Sequence, residues 1–309
     1  MTTVALTGAS GFVGRHVLAR LLESGFQVRA LVRNLKQISP ASGLTPIVGR
    51  LDDDQALTDL VRGSDLIVHL AGATGGFDYA DFARVNVVGT RRLVHAWQHE
   101  SPQARFIHLS SLAARHPELS DYAASKRAGE DCVNHSSGQW TIIRPPAVYG
   151  PDDPALAPLW RALSRGWLIQ TGPAESRFSL VHVDDLADAI VTLVSGSDVG
   201  AGETIDLHDG TDSGYGWDDL KALAEEARQK PVKTLAVPRL MLMLLGWINV
   251  LLARLLRRRP PPLVPGKVRE LVHHNWVCDN SALPGCPEWA PRLTLKTALP
   301  QLPGWRRIG

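Results

Sequence analysis

Short apolar runs alternate with helix-like spacing of apolar residues through the first half of this 309-residue chain. Apolar runs of this length predict strands, and apolar positions three and four apart predict helices between them. The predicted strands are Val4–Thr7, Gln27–Val32, Pro46–Val48, Asp65–Leu70, Arg105–Leu109 and Trp140–Ile143, and the predicted helices are Phe12–Ser24, Gln55–Arg62, Ala80–His99 and Asp121–Asn134. The alternation is typical of a parallel sheet with crossover helices. We therefore predict a doubly wound, Rossmann-like α/β fold whose ligand crevice lies at the carboxyl ends of the strands.

The pattern loosens after Gly150, where three prolines interrupt it. Beyond them we predict a strand at Phe178–Val183, a helix at Asp184–Val194 and a helix from Trp217 to about Arg228. No repeat or low-complexity linker separates the parts. We predict a Rossmann domain over residues 1–150 that continues in 178–208, and a smaller C-terminal substrate-binding lobe over 151–177 and 209–309.

Composition excludes several classes of protein. The chain is 44% apolar and 21% charged, which is enough apolar content for a sizeable core. A net charge of +2 gives no reason to expect nucleic acid as a partner. Three scattered cysteines do not form a disulfide framework, and His273, His274, Cys278 and Cys286 lack zinc-site spacing, so we expect no metal. Because the first strand begins almost at Met1, we expect a cytoplasmic protein.

A glycine-rich turn, Thr7-Gly8-Ala9-Ser10-Gly11-Phe12-Val13-Gly14, connects the first predicted strand to the first predicted helix. In a dinucleotide-binding turn Gly8 would permit the tight bend, Gly11 the approach of the pyrophosphate and Gly14 close packing of helix on strand. The helix N-terminus would then hold the phosphate charge. An ordinary turn is the alternative, but the strand–turn–helix context favours dinucleotide binding. The Rossmann domain is therefore predicted to bind NAD(P).

Tyr122 and Lys126 lie four residues apart on one face of a predicted helix. A lysine ammonium there can stabilise a phenolate and lower the pKa of the phenol from its usual value of about 10. That arrangement suits a general acid/base at an alcohol or ketone carbon. The alternative is an ordinary half-buried helix tyrosine.

The glycine spacing Gly-x2-Gly-x2-Gly together with Tyr-x3-Lys resembles the short-chain dehydrogenase/reductase superfamily. Further segments resemble its extended branch, the NAD-dependent epimerase/dehydratase family. These are His69-Leu70-Ala71-Gly72, Val85-Asn86-Val87-Val88-Gly89-Thr90, Leu109-Ser110-Ser111, the run from Arg144 to Pro151, and His182-Val183-Asp184-Asp185-Leu186-Ala187. They occur in the family's order over about two thirds of the chain.

This resemblance implies roles for individual residues. Tyr122 would move the proton, Lys126 would lower its pKa and bind the nicotinamide ribose, and Ser111, with Ser110 as the fallback, would hydrogen-bond the reacting oxygen. Asn86 has an alternative interpretation as a helix-capping or loop-fixing residue. The predicted cofactor-binding residues are Thr7, Gly8, Ser10, Gly11, Phe12, Val13, Gly14, Arg33, Arg50, Leu51, Leu70, Ala71, Gly72, Asn86, Tyr122, Lys126 and Pro145.

The end of the second predicted strand bears on which cofactor is used. An acid there would bind the ribose 2′-hydroxyl, whereas an arginine accommodates a 2′-phosphate. This chain has no acid at that point but has Arg33, with Lys36 close by. Family members often carry an aspartate where this chain has Arg50, so Arg50 would stack on adenine or meet the 2′-phosphate. We predict NADP(H), with NAD(H) kept open and a solvated surface charge as the alternative role of Arg33.

Two departures from the family pattern bear on the substrate. Nucleotide-sugar enzymes of the family commonly carry an asparagine where this chain has Ala147, and an arginine where it has Phe178. Arg177 is one residue away and so lies on the opposite strand face. Loss of such a phosphate clamp disfavours a diphosphate ligand. The sequence therefore favours a less charged ketone or alcohol.

The segment Pro238–Arg259 is strongly apolar and ends in Arg254 and Arg257-Arg258-Arg259. Its uncharged stretch is shorter than the ~20 residues of a spanning helix. We favour a helix packed in the lobe, as a lid or a homodimer surface, because no single polar face is evident. The alternative is a peripheral membrane contact through residues 240–256, with the arginines on anionic lipid.

The leading hypothesis is an NADP(H)-dependent oxidoreductase that transfers a hydride at a ketone or secondary alcohol, with Tyr122 as the general acid/base. One alternative is an NAD-dependent nucleotide-sugar epimerase or dehydratase, which consumes no cofactor in net terms. A non-enzyme alternative is a dinucleotide-binding accessory subunit of a membrane complex. The complete Ser–Tyr–Lys set disfavours this last alternative.

Overall fold

Seven parallel strands form the central sheet of the computed structural model, which describes residues 1–196, 202–279, 283, 286 and 289–305. The described strands are β1 (Thr3–Thr7), β2 (Gln27–Val32), β3 (Leu44–Val48), β4 (Leu66–His69), β5 (Arg105–Leu109), β6 (Trp140–Arg144), β7 (Ala147–Tyr149), β8 (Trp167–Gln170), β9 (Arg177–Phe178), β10 (Leu180–His182), β11 (Glu203–Asp206), β12 (Tyr215–Gly216), β13 (Lys233–Ala236) and β14 (Asn275–Trp276). The described α-helices are α1 (Phe12–Glu23), α2 (Asp54–Val61), α3 (Tyr79–Ala83), α4 (Thr90–Glu100), α5 (Asp121–Asn134), α6 (Ala157–Ser164), α7 (Val183–Ser195), α8 (Trp217–Arg228), α9 (Arg239–Leu255), α10 (Pro265–Leu271) and α11 (Leu295–Ala298).

The strand order of the main sheet is β11-β6-β5-β4-β1-β2-β3, and every pairing in it is parallel. The chain moves outward in one direction from β1 to β3 and in the other from β4 to β11. This reversal opens a crevice beyond the carboxyl ends of β1 and β4, where Thr7 pairs with His69. The predicted doubly wound, Rossmann-like fold is confirmed.

Helices cover both faces of the sheet, which explains why its strands are apolar throughout. On one face α1 and α7 pack on the sheet through a cluster that includes Val17, Leu21, Leu186 and Ile190. On the other face α2 and α4 contribute Leu57, Leu60, Leu93 and Trp97. All eight side chains are fully buried.

The single helix predicted over Ala80–His99 is two α-helices, α3 and α4, joined by a π-helical turn at Arg84–Gly89. Asn86 lies inside this turn, and its carbonyl oxygen accepts a hydrogen bond from Thr90 Oγ1 at 2.9 Å. A β-carbon at Gly129 of α5 would lie 2.4 Å from that same oxygen. The wider turn therefore brings the Asn86 backbone against α5, and periodicity alone does not reveal such a turn.

The predicted strand Phe178–Val183 is two strands that belong to different sheets. β9 pairs with β12 and β14, whereas β10 pairs with β7. Between them the amide of Ser179 donates to the carbonyl of Trp276, so the chain changes partners at this residue. The predicted helices at Asp184–Val194 and Trp217–Arg228 are α7 and α8.

A second core lies under the C-terminal half of the chain. Its buried members include Trp160, Leu168, Trp217, Leu220 and Leu302. Of the ranges predicted for the two domains, residues 197–201, 280–282, 284–285, 287–288 and 306–309 lie outside the described residues. Leu283 and Cys286, in the range predicted for the lobe, pack into the core beside α7.

Candidate active site

The glycine turn lies at the carboxyl end of β1, and two of its glycines are required by space. Gly8 has a φ of +78°, and a β-carbon there would lie 2.6 Å from the amide nitrogen of Ala71. A β-carbon at Gly14 would lie 1.9 Å from the carbonyl oxygen of Gly8. The turn can therefore pack against α1 and the loop after β4 only with glycine at both positions.

The N-terminus of α1 is open to an anion. Gly11 is its N-cap residue and provides no side-chain hydrogen bond, and the first turn of α1 has no acidic residue. Ser10 and Gly11 are exposed, and Phe12 and Val13 are partly exposed. The first backbone amides of a helix have no partner within it, so they are available to phosphate oxygens. This arrangement fits the pyrophosphate of a dinucleotide.

The loop after β4 forms the other wall of the crevice. Its residue Ala71 donates its amide hydrogen to Thr7 Oγ1 at 3.3 Å, and Thr7 Oγ1 also lies 2.6 Å from His69 Nδ1. His69 Nε2 bonds Thr90 Oγ1 at 2.9 Å. Burial lowers the pKa of His69 to about 3, so this imidazole is neutral. The predicted residues Leu70, Ala71 and Gly72 are therefore held beside the glycine turn.

Tyr122 and Ser111 meet at the carboxyl edge of the sheet. Tyr122 lies in the first turn of α5, whose N-cap Ser120 accepts the amide hydrogen of Ala123 at 3.0 Å. Ser111 follows β5, and its hydroxyl is near enough to the Tyr122 phenol to lower the pKa of that phenol. The ring of Phe82 packs edge-on against the Tyr122 ring, with centroids 5.9 Å apart. The structure therefore brings the predicted serine and tyrosine together.

Ser110, the fallback serine, is committed elsewhere. It is buried, and its Oγ donates to Glu130 Oε1 at 2.5 Å. Glu130 also accepts two hydrogen bonds from Arg144, at 2.8 and 2.6 Å. Ser110 is thus part of a buried ion-pair network, which leaves Ser111 as the serine available to a substrate.

Lys126 lies one turn beyond Tyr122 on α5 and is only 5% exposed. Its Nζ donates to the carbonyl oxygen of Leu109 at 2.8 Å and lies near Gly72 at the crevice. Burial lowers the pKa of Lys126 to about 8, and the nearby Glu130 carboxylate opposes this shift.

The prediction that Lys126 lowers the pKa of Tyr122 is wrong for this structure. Burial raises the pKa of Tyr122 to about 12, the neighbouring Ser111 hydroxyl lowers it in part, and the Glu270 carboxylate raises it further. Lys126 is not among the groups that shift this pKa, and its ammonium donates to the Leu109 carbonyl. The phenol is therefore protonated at neutral pH and can donate its proton.

Asn86 fixes the loop that follows β4. Its Oδ1 accepts the amide hydrogen of Ala73 at 2.7 Å, and its Nδ2 donates to the carbonyl of Ala73 at 3.0 Å and to Ser125 Oγ at 2.9 Å. These bonds occupy both ends of the buried amide. The geometry favours the loop-fixing interpretation, and direct cofactor binding by this side chain stays a prediction.

The cations predicted near the adenine end differ in their partners. Arg33 follows β2, is exposed, and forms no ion pair with any residue that the structure describes. Arg50 is also exposed but lies 3.3 Å from Asp52. Leu51 packs against Gly89, and the Pro145 carbonyl accepts the amide hydrogen of Leu112 at 2.8 Å. Arg33 is therefore the freer of the two predicted cations.

On the substrate side, the positions that departed from the family pattern carry no free cation. Ala147 is exposed in β7, and Phe178 packs edge-on against Trp217, with ring centroids 5.6 Å apart. The Arg177 guanidinium donates to the carbonyl oxygens of Ser213 and Gly214 at 2.6 and 2.8 Å. Arg177 therefore stabilises a lobe turn.

Glu270 is a site residue that the sequence did not reveal. It lies on α10, is buried, and accepts a hydrogen bond from Ser120, the N-cap of α5. Lys267 Nζ lies 2.9 Å from its second oxygen. No spacing links Glu270 to Tyr122 in the sequence, since 150 residues separate it from Ser120. Ser120, by contrast, has the residue type of an N-cap directly before the predicted helix.

Comparison with known proteins agrees with this geometry. Residues 4–207 match the model of the NAD dependent epimerase/dehydratase family. The chain belongs to this family and is an NAD(P)-dependent oxidoreductase-type enzyme. A nicotinamide dinucleotide is its cofactor, and the open α1 N-terminus and glycine turn described above fit its pyrophosphate.

Two curated relatives are reductases by name. The chain is 34% identical over 282 residues to a ceramide reductase of Caulobacter vibrioides, covering 89% of this chain and 85% of that protein. It is 32% identical over 175 residues to a 4-hydroxy-2-methyl-3-oxo-4-farnesyl-3,4-dihydroquinoline-1-oxide ketoreductase of Stigmatella aurantiaca, covering 50% and 52%. A UDP-glucose 4-epimerase structure from Thermotoga maritima superposes with a TM-score of 0.72 at 19% identity over 99% of both chains, which shows the shared fold.

Proposed function

We propose that this protein is an NADPH-dependent reductase of ketones on lipophilic molecules. The observation that carries the proposal is the placement of Ser111 beside Tyr122 at the carboxyl edge of the sheet, with Lys126 on the next turn of α5. Ser111 would orient the ketone oxygen, Tyr122 would donate a proton to it, and Lys126 would bind the nicotinamide ribose. The lobe, residues 151–177 and 209–309, would hold the rest of the substrate.

In the direction of reduction, Tyr122 would be the proton donor. NADPH, when bound, supplies the hydride that reaches the ketone carbon. The oxygen then gains negative charge and needs a proton, which a protonated phenol can provide. With its pKa at about 12, the Tyr122 phenol is protonated throughout the neutral range, as an ordinary phenol with a pKa of about 10 would also be. Ser111 donates its own hydrogen bond to the same developing charge.

Arg33 supports the choice of NADPH. Its guanidinium is exposed at the carboxyl end of β2, where an acidic residue would repel a 2′-phosphate. A charge-assisted hydrogen bond contributes about 1.5–3 kcal/mol, so Arg33→Ala should weaken NADPH binding by about 10–100-fold. NADH binding should stay unchanged. Fluorescence titration of both cofactors checks this, with Arg50→Ala titrated in parallel. Because Arg50 already pairs with Asp52, this variant should lose less NADPH affinity than Arg33→Ala.

Equal weakening of NADH and NADPH binding in Arg33→Ala would contradict a role at the 2′-phosphate. An unchanged NADPH affinity would remove Arg33 from the site.

The lipophilic class of substrate is supported from two sides. At the position where sugar-nucleotide enzymes carry a cation, this chain has Phe178 packed on Trp217, and Arg177 is bonded to the Ser213–Gly214 turn. An anionic diphosphate would find no clamp there. The two curated relatives are named for a ceramide and for a farnesyl-bearing ring, both of which are largely hydrocarbon.

The test is a carbonyl panel with NADPH that includes long-chain ketolipids, short water-soluble ketones and UDP-sugars. We expect stoichiometric oxidation of NADPH with long-chain ketones and none with UDP-sugars. Conversion of a UDP-sugar without net cofactor consumption would contradict the proposal in favour of an epimerase. Tight NADPH binding with no turnover on the whole panel would contradict it in favour of a dinucleotide-binding accessory subunit.

A further inference from the structure

Helix α9 exposes most of its apolar side chains. Only a narrow stripe of it, Leu242, Gly246, Val250 and Ala253, is buried against the protein. Leu240 is 83% exposed and Trp247 is 60% exposed. The other large apolar residues exposed on this helix and at its end are Met241, Leu244, Leu245, Ile248, Leu251, Leu252, Leu255 and Leu256. Packing in the lobe, which the sequence favoured, accounts for the stripe alone.

Arginines border this apolar surface at both ends. Arg239 begins α9, and Arg254, Arg257, Arg258 and Arg259 follow at its C-terminal end, all of them exposed. No acidic residue occurs between positions 239 and 259. Within the part of the chain that the structure describes, Arg254 alone of the five has an acidic neighbour, Asp78 at 3.9 Å. Four guanidinium groups are therefore free to bind anions.

The combination is that of a helix that lies in a membrane interface. Exposed leucines and a tryptophan would enter the zone between headgroups and acyl chains, and guanidinium groups would bind lipid phosphates. Over 17 residues α9 is about 25 Å long. None of the described helices is both long and apolar enough to cross a bilayer, so this mode of contact lies along the surface.

A second copy of the chain fits this surface less well. Two α9 helices packed face to face, in either direction, would bring arginines near arginines without a carboxylate from either helix. Like charges brought together in this way repel. An anionic lipid surface neutralises the same arginines, so charge favours lipid over self-association.

The α9 helix also reaches the candidate active site from two directions. Arg254 lies over the Phe77 ring, 5.5 Å from its centroid, and Phe77 precedes α3, which packs Phe82 on Tyr122. On the other side α9 leads into α10, whose Glu270 bonds the N-cap of α5. A membrane beneath α9 would thus lie beside the elements that hold Tyr122.

We propose that the exposed face of α9, with Arg239, Arg254 and Arg257–Arg259, docks this enzyme on anionic phospholipid. Docking itself does not depend on the proposed reduction. Its consequence, that a lipophilic ketone reaches Tyr122 from the bilayer, rests on the proposed function.

Vesicle flotation tests the docking surface without any need for turnover. We expect the full chain to float with vesicles containing phosphatidylglycerol and to bind phosphatidylcholine vesicles far more weakly. Each arginine near an anionic surface strengthens binding by about a factor of five or more, so Arg257→Ala/Arg258→Ala/Arg259→Ala should bind anionic vesicles about 100-fold more weakly. Added salt should weaken wild-type binding, because it screens the same charges. Leu244→Glu/Trp247→Glu should abolish flotation. Leu35→Glu, which places a charge at an exposed leucine of another surface, should float like wild type.

Absence of wild-type flotation, or flotation that survives both α9 variants, would overturn the proposal. So would light scattering that shows a wild-type dimer converted to a monomer by Leu244→Glu/Trp247→Glu, because the surface would then bind a second copy. Far-UV circular dichroism and NADPH titration verify that the variants are folded. The same two α9 variants should reduce a water-soluble ketone at the wild-type rate, so loss of docking and failure of the proposed reduction give different results.

Discussion

Helices α5 and α9 depart in opposite ways from the usual distribution of residues. α5 buries Ser125, Lys126 and Glu130, whereas α9 exposes leucines and Trp247. The buried polar groups of α5 all have partners inside the protein, such as Arg144 for Glu130 and the Leu109 carbonyl for Lys126. The exposed apolar groups of α9 have none. A buried polar group must be satisfied internally, but an exposed apolar face is satisfied only by something outside the chain.

The largest of the expected effects is the loss of stability when the ion-pair partner of Glu130 is removed. Glu130 is fully buried, and Arg144→Ala would remove the guanidinium that forms its ion pair. Because the Ser110 hydrogen bond and the nearby Lys126 ammonium remain, we expect the free energy of unfolding to fall by about 3 kcal/mol, the lower end of the cost of breaking a buried pair. Urea unfolding measures it. Arg127→Ala is the matched control, because Arg127 forms an exposed pair with Asp131 on the same helix and should contribute less than about 1 kcal/mol.

Equal stability of Arg144→Ala and Arg127→Ala would break the comparison. It would mean that Glu130 does not need an internal partner.

The pH dependence of cofactor use should report on Lys126. Its pKa of about 8 results from burial, so its positive charge is lost as pH rises through that value. Because kcat/KM for NADPH reports groups of the free enzyme, it should fall about tenfold per pH unit above pH 8. The pKa of Tyr122, about 12, lies beyond this range and should add no limb below it.

Lys126→Met should lower the plateau at neutral pH and remove the alkaline limb. A limb that persists in this variant, or a flat wild-type profile between pH 6 and 10, would exclude Lys126 as its source.

A smaller effect should come from Glu270, which joins the lobe to α5. In Glu270→Gln a neutral amide replaces the carboxylate that accepts the Ser120 hydrogen bond and pairs with Lys267, so the contact that holds α5 to α10 weakens. We expect kcat to fall about 2–10-fold, from the loss of about 0.5–1.5 kcal/mol of positioning, with the KM for NADPH unchanged. Steady-state kinetics measures both.

Glu118→Gln, which alters an exposed carboxylate paired with His116, is the matched control and should leave kcat unchanged. A Glu270→Gln enzyme with wild-type kcat would mean that the lobe does not position α5 through this contact.

The sheet and its helices were predictable because their patterns are local. The alternation of strands and helices, the space that Gly8 and Gly14 require and the spacing of Tyr122 and Lys126 all appear over short stretches of sequence. The π-helical turn around Asn86 was missed because it depends on the close approach of Gly129, 43 positions later. The division of the predicted strand Phe178–Val183 into β9 and β10 was missed because the apolar residues of the two strands form one continuous pattern in the sequence.

The electrostatics of the site were less predictable than its residues. Spacing alone indicated that Lys126 would lower the pKa of Tyr122. The structure adds burial, the Leu109 carbonyl and the Glu270 carboxylate, none of which lies within that motif. Likewise the composition of α9 indicated an apolar helix, but which face is exposed depends on its packing against α10 and the loop before it.

The chemistry assigned to α5 is tested most directly by NADPH oxidation with a long-chain ketone in Tyr122→Phe. The ring is kept, so its packing on Phe82 and the fold should be preserved, while the proton donor is lost. We predict that turnover falls about 10²–10⁴-fold while NADPH titrates with wild-type affinity. Turnover close to the wild-type rate would contradict the account, because the proton would then come from another group.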